Sequence, residues 1–259
     1  MDIRDIPVEW IERIGAVKQI SYPRQGHTSV VVRVVTRDRS FIIKKTEHAL
    51  YNDWLSDEYA ALRFLAATGL PVPSAYAFQV QDKSRWLLMD DLNGISVRHY
   101  LESSPSPRDR EKAIASYGEC LKQIHSCKCP VELRREDQAW LDKMLMQARH
   151  NLEHHDVDGT EALLQRLDID RPAPIASTLI HGDYHMNNVL VSNHRVVGVI
   201  DWPRAAFGDP RFDIALAIRP KADIFDGERD REIFLESYGR AKITDDEYRY
   251  YQEGLYTFF

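Results

Sequence analysis

The sequence predicts an α+β protein with two lobes, a β-rich first lobe and a mainly helical second lobe. Segments rich in β-branched residues are concentrated before residue 92, whereas long amphipathic helical patterns follow it. With 259 residues, of which 44% are hydrophobic and 29% charged, the chain is large enough to fold into two such lobes. We place the lobes at 1–92 and 93–259, with the boundary in the segment "DDLNG".

In the first lobe, the elements follow one another with clear turn signals between them. Four stretches rich in β-branched and aromatic residues predict two hairpins: "TSVVVRVV", "FIIKK", "YAFQVQ" and "RWLLMDDL". Between the hairpins, "DWLSDEYAALRFLAATG" predicts a helix that begins at Asp53 or Ser56 and stops at Gly69. The spacing of Val8, Ile11 and Ile14 predicts a short amphipathic helix near the N-terminus.

The second lobe reads as helices around one short β-hairpin. "PSPRDREKAIASYGECLKQIHS" predicts a capped helix, and further helices are expected over 131–170 and 211–259. Between them, "VLVSNHRVVGVIDW" predicts a hairpin that turns near Asn193. Region 131–170 carries ten acidic and five basic residues, which favours an amine-bearing ligand.

Composition excludes several classes of protein. A formal net charge of −6 argues against nucleic-acid binding, which requires clustered Lys and Arg. No apolar segment is long enough for a membrane span, and the N-terminus lacks the pattern of a secretory signal. Three cysteines are too few for a disulfide scaffold, so we expect a cytoplasmic protein with neither nucleic-acid nor membrane partners.

The loop "HGDYHMNNVL" concentrates polar side chains and has two interpretations. On an extended strand, His181, Asp183 and His185 would share one face and could bind a metal ion, as in a metal hydrolase. However, Gly182 and the run of polar residues favour a loop. No second cluster of His or Cys in the sequence completes such a site.

The alternative interpretation is a loop for phosphoryl transfer. Asp183 and Asn188 are separated by four residues, the spacing between the catalytic base and a magnesium ligand in kinase catalytic loops. A second magnesium ligand is expected after a short hairpin, and Asp201 stands at the end of the predicted one. Because Mg²⁺ prefers oxygen ligands and takes few from the protein, an Asn and an Asp suit it.

These two motifs resemble those of the aminoglycoside phosphotransferase family, which shares the bilobal fold of protein kinases. "HGDxxxxN" is present at 181–188, and "IDW…GDPxxDIA" is present as "IDWPRAAFGDPRFDIALA". The resemblance implies that Asp183 is the catalytic base and that Asn188 and Asp201 bind the metal. It further implies that Asp209 and Asp213 are structural supports and that His181 braces the loop.

The first lobe offers an independent test of this interpretation. A kinase lobe needs a strand lysine for the α- and β-phosphates and a helix glutamate that holds the lysine. "FIIKK" offers Lys44 or Lys45, and Glu58 interrupts the apolar stripe of the predicted helix. Because a buried acid is costly unless it is paired, we expect Glu58 to pair with Lys44.

Three further nucleotide contacts are expected. "RQGHTSVVVRV" takes the place of the loop that covers the phosphates, where backbone groups near Gly26 and the Ser29 hydroxyl can meet phosphate. "WLLMDDLNG" resembles the linker between the lobes in this family. That match implies that the carbonyl of Asp90 and the N–H of Leu92 bind adenine.

The sequence therefore predicts an ATP- and Mg²⁺-dependent enzyme that transfers phosphate to a hydroxyl of a small molecule, with GTP in place of ATP left open. The family also includes kinases for choline, homoserine, fructosamines and macrolides, so the acceptor stays open. We expect a monomer or homodimer. The alternatives are a non-catalytic nucleotide-binding protein of the same fold and the metal hydrolase built on His181, Asp183 and His185.

Overall fold

The structure is a computed structural model that describes residues 5–23, 28–134, 139–225, 227–239 and 243–259. The chain divides into two compact units: unit 1 is Met1–Asn93 with Gly198–Arg204, and unit 2 is Gly94–Val197 with Ala205–Phe259. Within the described ranges, no helix combines the length and the apolar character that crossing a bilayer requires.

Unit 1 is built on an antiparallel sheet in which the described strands follow the order β1-β2-β3-β5-β4. Its elements are α1 (Val8–Ile14), β1 (Gln19–Ser21), β2 (Val30–Val35), β3 (Ser40–Thr46), α2 (Ala49–Leu65), β4 (Ala75–Gln81) and β5 (Ser84–Asp90). The β2–β3 register places Val31 opposite Lys44, and the β3–β5 register places Lys44 opposite Leu87. Lys44 therefore lies on a strand with a neighbour on each side.

The core of unit 1 forms where α1 packs on the sheet. Trp10 and Trp86 meet edge to face with their ring centroids 6.4 Å apart, and both rings are buried. Such aromatic pairs add to the free energy of burial because the positive edge of one ring meets the negative face of the other. This core makes the strands that carry the candidate site a rigid platform.

Unit 2 consists mainly of helices. They are α3 (Val97–Glu102), α4 (Pro107–Ser126), α5 (Trp140–His154), α6 (Glu161–Ile169), α7 (Pro210–Ala217), α8 (Glu228–Tyr238) and α9 (Asp245–Tyr248), with short helical turns at Val131–Leu133, Arg249–Gly254 and Leu255–Phe258. Helices α4 and α8 approach so closely at Gly118 that a Cβ there would lie 2.4 Å from the carbonyl oxygen of Phe234. Tyr117 of α4 stacks on Tyr184, with ring centroids 5.0 Å apart, so this helix pair supports the polar loop.

Short strands frame the polar loop of unit 2. They are β6 (Ile95–Ser96), β7 (Thr178–Ile180), β8 (Val189–Ser192), β9 (Arg195–Val199) and β10 (Ala206–Gly208). Strand β7 ends just before His181, and β8 begins just after Asn188. The β8–β9 turn has positive φ at Asn193 and His194, where Asn is favoured. The predicted hairpin is thus present with its turn at the predicted residue.

Two details differ from the sequence prediction. Helix α2 begins at Ala49, after His48, rather than at Asp53 or Ser56. The segment 198–204, predicted within the second lobe, groups with unit 1. This grouping has a local cause, because the N–H of Val199 donates to the carbonyl of Pro71 at 2.7 Å and Leu92 packs directly over Gly198. Neither contact could be foreseen from residues so distant in sequence.

Candidate active site

The first part of the site is a buried ion pair in unit 1. The ammonium of Lys44 on β3 donates to both carboxylate oxygens of Glu58 on α2, at 2.7 and 2.8 Å. Both residues are buried, with exposed fractions of 6% and 4%. The expected Lys44–Glu58 pair is therefore present. Lys45 instead pairs with Glu47 on the surface, which removes it as the alternative.

Asp201 joins this pair from the segment after β9. Its carboxylate accepts a hydrogen bond from Lys44, while 44% of its side chain remains exposed. Its φ of +63° lies in the left-handed region, which is unusual for a residue other than glycine. The next residue, Trp202, donates its backbone N–H to Glu58 and its indole N–H to the carbonyl of Val199 at 2.8 Å. These bonds hold the backbone that carries Asp201.

The electrostatics of this cluster favour a charged lysine. Burial alone lowers the pKa of Lys44, but the negative charges of Asp201 and Glu58 outweigh burial and raise it above its ordinary value. For Glu58, burial raises the pKa, and the nearby ammonium opposes that rise. A fixed positive charge next to an exposed carboxylate can receive phosphate oxygens on one side and a cation on the other.

Asp213 anchors the polar loop of unit 2 through hydrogen bonds to its backbone. This carboxylate, fully buried on α7, accepts the backbone N–H groups of His181 and Gly182 at 2.6 and 2.9 Å. His125 approaches the same carboxylate at 3.2 Å through Nε2. Gly182 has a φ of +82°, a conformation that costs glycine little. The supporting position that the sequence motif implies for Asp213 is thus visible as three contacts.

Asp183 lies at the top of the loop with both carboxylate oxygens engaged. Oδ1 accepts the hydroxyl of Tyr256 at 3.0 Å, and Oδ2 accepts the amide of Asn188 at 3.1 Å. The ring of His185 lies 3.5 Å from Oδ2. The same Asn188 amide also donates to the backbone carbonyl of Asp183 at 3.0 Å. Asp183 is therefore oriented by donors and still half-exposed, as a base that meets a substrate must be.

His181 does not belong to a metal site. Its ring is fully buried, and its Nδ1 accepts the backbone N–H of Asp183 at 3.1 Å. It therefore braces the loop rather than sharing a ligand face with His185. Across the described parts of the chain, no group of three His, Cys, Asp or Glu side chains is arranged to bind a metal. The hydrolase alternative consequently lacks its ligand set in these residues.

Comparison with known proteins identifies the family. Residues 19–253 match the model of the phosphotransferase enzyme family. The chain belongs to this family. It is 31% identical over 214 residues to an aminoglycoside 3'-phosphotransferase of Streptomyces fradiae, covering 76% of this chain and 77% of that protein. The prediction of a small-molecule phosphotransferase of this family is therefore confirmed.

Solved structures confirm the predicted α+β, protein-kinase-like fold. The crystal structure of an aminoglycoside 3'-phosphotransferase of type VIII superposes with a TM-score of 0.77 at 22% identity, covering 96% of each chain. A thermostable mutant of aminoglycoside phosphotransferase APH(4)-Ia, in ternary complex with ADP and hygromycin B, superposes with a TM-score of 0.69 at 19% identity. That match covers 94% of this chain and 85% of the other.

The donor chemistry of the predicted magnesium ligands suits the cation that a phosphotransferase uses. Asn188 commits its amide nitrogen to Asp183, so the amide oxygen is the atom that could hold a cation. Asp201 offers a partly exposed carboxylate. Both are hard oxygen donors of the kind that Mg²⁺ prefers. Asn188 lies in unit 2 and Asp201 in unit 1.

The remaining predicted nucleotide contacts lie in unit 1. Ser29 directly precedes β2, while Gly26 lies outside the described residues. Asp90 is the last residue of β5, and its N–H donates to the carbonyl of Ser74 at 3.0 Å. Leu92 follows in the linker. Their roles toward a nucleotide stay predictions.

One functional candidate escaped the sequence analysis. Tyr256 donates to Asp183 across 73 residues of sequence, from a helical turn at the end of the chain. The stretch "LYTFF" reads as an apolar terminus, and only its single phenol could have drawn attention. Its guanidinium neighbour Arg219 lies over the ring, 5.9 Å from the centroid. Tyr256 therefore belongs to the surroundings of the predicted base.

A cavity of about 790 Å³ in unit 2 does not coincide with this phosphotransferase motif. It is lined by α6, by residues 170–173 and by the chain from 246 to 254, and none of residues 181–188 contributes. Its charged lining is mixed, and Arg211 is already paired with Asp209 and Glu247. Proximity to Asp183 is a better guide to the acceptor than cavity size, because the transferred proton must reach that carboxylate.

Proposed function

We propose that this protein transfers the γ-phosphate of ATP, with Mg²⁺, to a hydroxyl of an amine-bearing small molecule, with aminoglycosides as the first class to test. The observation that carries the proposal is the oriented carboxylate of Asp183, held by Asn188 and Tyr256 on a loop anchored through Asp213. The relatives named above support the class of reaction, and the complex with ADP and hygromycin B was obtained with one of them.

In this proposal, the acceptor oxygen attacks the γ-phosphorus, and the bond to the β–γ bridging oxygen breaks. ADP leaves, and the proton of the acceptor hydroxyl passes to Asp183. Phosphoryl transfer needs little covalent help, so positioning and charge supply most of the rate enhancement. Lys44, kept charged by Glu58 and Asp201, would bind the α- and β-phosphates. Asn188 and Asp201 would hold Mg²⁺, which would supply positive charge to the phosphates.

The acceptor class is inferred from the acidic charge of the connection between α5 and α6 and from the backbone bond that joins this connection to the end of the chain. Asp156 and Asp158 are exposed in the connection between α5 and α6. The same connection is tied to the end of the chain, because the N–H of Gly159 donates to the carbonyl of Thr257 at 3.1 Å. Thr257 follows Tyr256, which donates to Asp183. The acidic side chains of this connection would attract the ammonium groups of such an acceptor.

The test is an assay of acceptor-dependent ADP release with ATP and Mg²⁺. The acceptor panel holds aminoglycosides, macrolides, choline, homoserine and sugar amines, and mass spectrometry identifies the phosphorylated product. We expect release with an amine-bearing acceptor and none with Asp183→Asn. If no acceptor supports release, titration with ATP and Mg²⁺ separates a non-catalytic nucleotide-binding protein, which binds, from a protein without nucleotide function. A cytoplasmic location and a monomer or homodimer stay predictions.

A further inference from the structure

Two consecutive carboxylates at the end of β5 are bonded to opposite neighbours in the sheet. Asp90 turns toward β4: its Oδ1 accepts the hydroxyl of Tyr76, and its Oδ2 accepts the N–H of Ser74 at 3.0 Å. The N–H of Asp90 also donates to the carbonyl of Ser74 at 3.0 Å. Asp90 is therefore held by its backbone and its side chain at once.

Asp91 turns to the other side, toward β3 and β2. Its Oδ2 accepts Nε of Arg33 and the hydroxyl of Ser40, each at 2.5 Å. The side chain of Asp91 is 13% exposed and that of Arg33 is 43% exposed, so the carboxylate is shielded from water while the guanidinium remains partly solvated. We call the side chains of Arg33, Ser40, Tyr76, Asp90 and Asp91 the linker clamp.

Arg39 fixes the direction of the hydrogen bond between Tyr76 and Asp90. The guanidinium of Arg39 stacks over the rings of Phe41 and Tyr76, at 4.6 and 5.2 Å from their centroids. It also donates to the Tyr76 hydroxyl at 3.4 Å, so that hydroxyl must direct its own proton to Asp90. Burial and the bond to Asp90 raise the pKa of Tyr76, which keeps the phenol protonated as a donor.

The residue after the clamp is held by packing. A Cβ at Gly198 would lie 2.4 Å from Cδ1 of Leu92, so the leucine side chain rests on the bare backbone of that glycine. The linker is thus fixed by hydrogen bonds at Asp90 and Asp91 and by van der Waals contact at Leu92.

We propose that the linker clamp makes the enzyme selective for adenine over guanine nucleotides. This proposal rests on the proposed function, in which the carbonyl of Asp90 and the N–H of Leu92 bind the base. Adenine presents an amino donor where guanine presents a carbonyl acceptor. A carbonyl of fixed direction matches the first base and repels the second, and a linker that cannot shift cannot restore the lost hydrogen bond.

The experiment removes the clamp without touching the backbone groups that would meet the base. Tyr76→Phe deletes the hydroxyl bonded to Asp90, and Arg33→Met deletes the cation bonded to Asp91. The matched controls are Tyr59→Phe and Arg63→Met, because Arg63 donates to the Tyr59 hydroxyl at 3.1 Å on α2, away from the linker. Kd and KM are measured for ATP and GTP with Mg²⁺, together with kcat and the melting temperature.

For the double variant Tyr76→Phe with Arg33→Met, we expect the KM for ATP to rise about tenfold, as for the loss of one charged hydrogen bond. The KM for GTP should rise much less, so the ratio of the KM for GTP to the KM for ATP falls. We expect kcat to stay within about twofold of the wild-type value. The control variants should leave the ratio unchanged. Arg33→Lys, which keeps a cation near Asp91, should restore part of the ratio, an effect that a general loss of stability would not produce.

Two outcomes overturn the proposal in distinguishable ways. If the wild-type protein binds ATP with Mg²⁺ and the clamp variants keep its ATP-to-GTP ratio, the clamp is not a specificity determinant, although the proposed function stands. If the wild-type protein binds neither nucleotide, the proposed function fails and the clamp fails with it. Should the double variant unfold, Ser40→Ala alone tests the same ratio, because it removes only one neutral donor to Asp91.

Discussion

The two parts of the candidate site solve opposite physical problems. In unit 1, Lys44 and Glu58 are a buried ion pair, and the cost of removing both charges from water is offset by short hydrogen bonds. In unit 2, Asp183 is half-exposed and held by the neutral donors of Asn188 and Tyr256. The first arrangement resists change, whereas the second leaves its carboxylate open to a new partner.

This difference matches the task proposed for each part. A group that binds phosphate throughout the reaction should keep a constant charge, and a buried lysine between two carboxylates does so. A group that takes the proton of the acceptor must be within reach of that acceptor, and the carboxylate of Asp183 is partly exposed. Substitutions in the two parts should therefore differ in kind: one should affect stability and nucleotide affinity, and the other should affect turnover.

The largest effect is expected for Asp183→Asn, which keeps the shape of the side chain but cannot accept a proton. We expect kcat to fall about 10²- to 10⁴-fold with the Kd for ATP and Mg²⁺ unchanged. Acceptor-dependent ADP release and nucleotide titration measure the two quantities. Asp246→Asn, at a side chain that is 96% exposed, is the matched control. Wild-type turnover in the Asp183 variant would show that this carboxylate is not the base.

Glu58→Gln tests the buried Lys44–Glu58 pair, and its main effect should be a lower free energy of unfolding. Removing one charge of a buried pair typically costs about 3–5 kcal/mol, and we expect the lower end because Asp201 still faces Lys44. Urea unfolding measures the loss. Glu47→Gln is the control, since it removes the partner of the adjacent Lys45 on the surface, where such pairs contribute at most about 1 kcal/mol. Equal losses of unfolding free energy in the two variants would show that the buried pair contributes no more to stability than the surface pair.

Asp201→Ala should separate metal binding from nucleotide binding. We expect the affinity for ATP measured with Mg²⁺ to fall at least about tenfold, while the affinity without Mg²⁺ changes little. Titrations with and without the cation give both values. Asp82→Ala is the matched control, because Asp82 also has a positive φ, +50° against +63° for Asp201, and lies in an exposed turn. If Mg²⁺ raises the ATP affinity of Asp201→Ala as much as that of the wild-type protein, Asp201 does not bind the metal.

The smallest effect is expected for Tyr256→Phe, which deletes one donor to Asp183. Asn188 still holds the carboxylate in this variant, so we expect a loss of only about 1 kcal/mol, a fall of about threefold to tenfold in kcat with the KM for ATP unchanged. Steady-state kinetics with the best acceptor measure the change. Tyr248→Phe is the control, because no hydrogen bond of the Tyr248 hydroxyl is found among the described residues. An increase in kcat would instead mean that Tyr256 competes with the acceptor for the carboxylate.

Much of the fold could be predicted because its signals are local. Hairpins and helices follow from patterns with periods of two and 3.6 residues, and strands β4 and β5 lie where alternation and turn residues predicted them. The start of α2 was misplaced because Asp53 resembles a cap, yet the helix already begins at Ala49. A capping residue inside a helical pattern therefore does not fix the helix boundary.

The sequence by itself predicted the candidate chemistry. The signals were the loop with Asp183 and Asn188, the hairpin before Asp201, and a lysine and a glutamate whose positions implied a pair. These motifs are defined by short separations along the sequence, so they can be recognised without the structure. Only the tertiary structure decided that Tyr256 meets Asp183, that 198–204 groups with unit 1, and that Asp90 and Asp91 are held from opposite sides. Such contacts join residues far apart in sequence, so no local pattern encodes them, and only folding brings them within hydrogen-bonding distance.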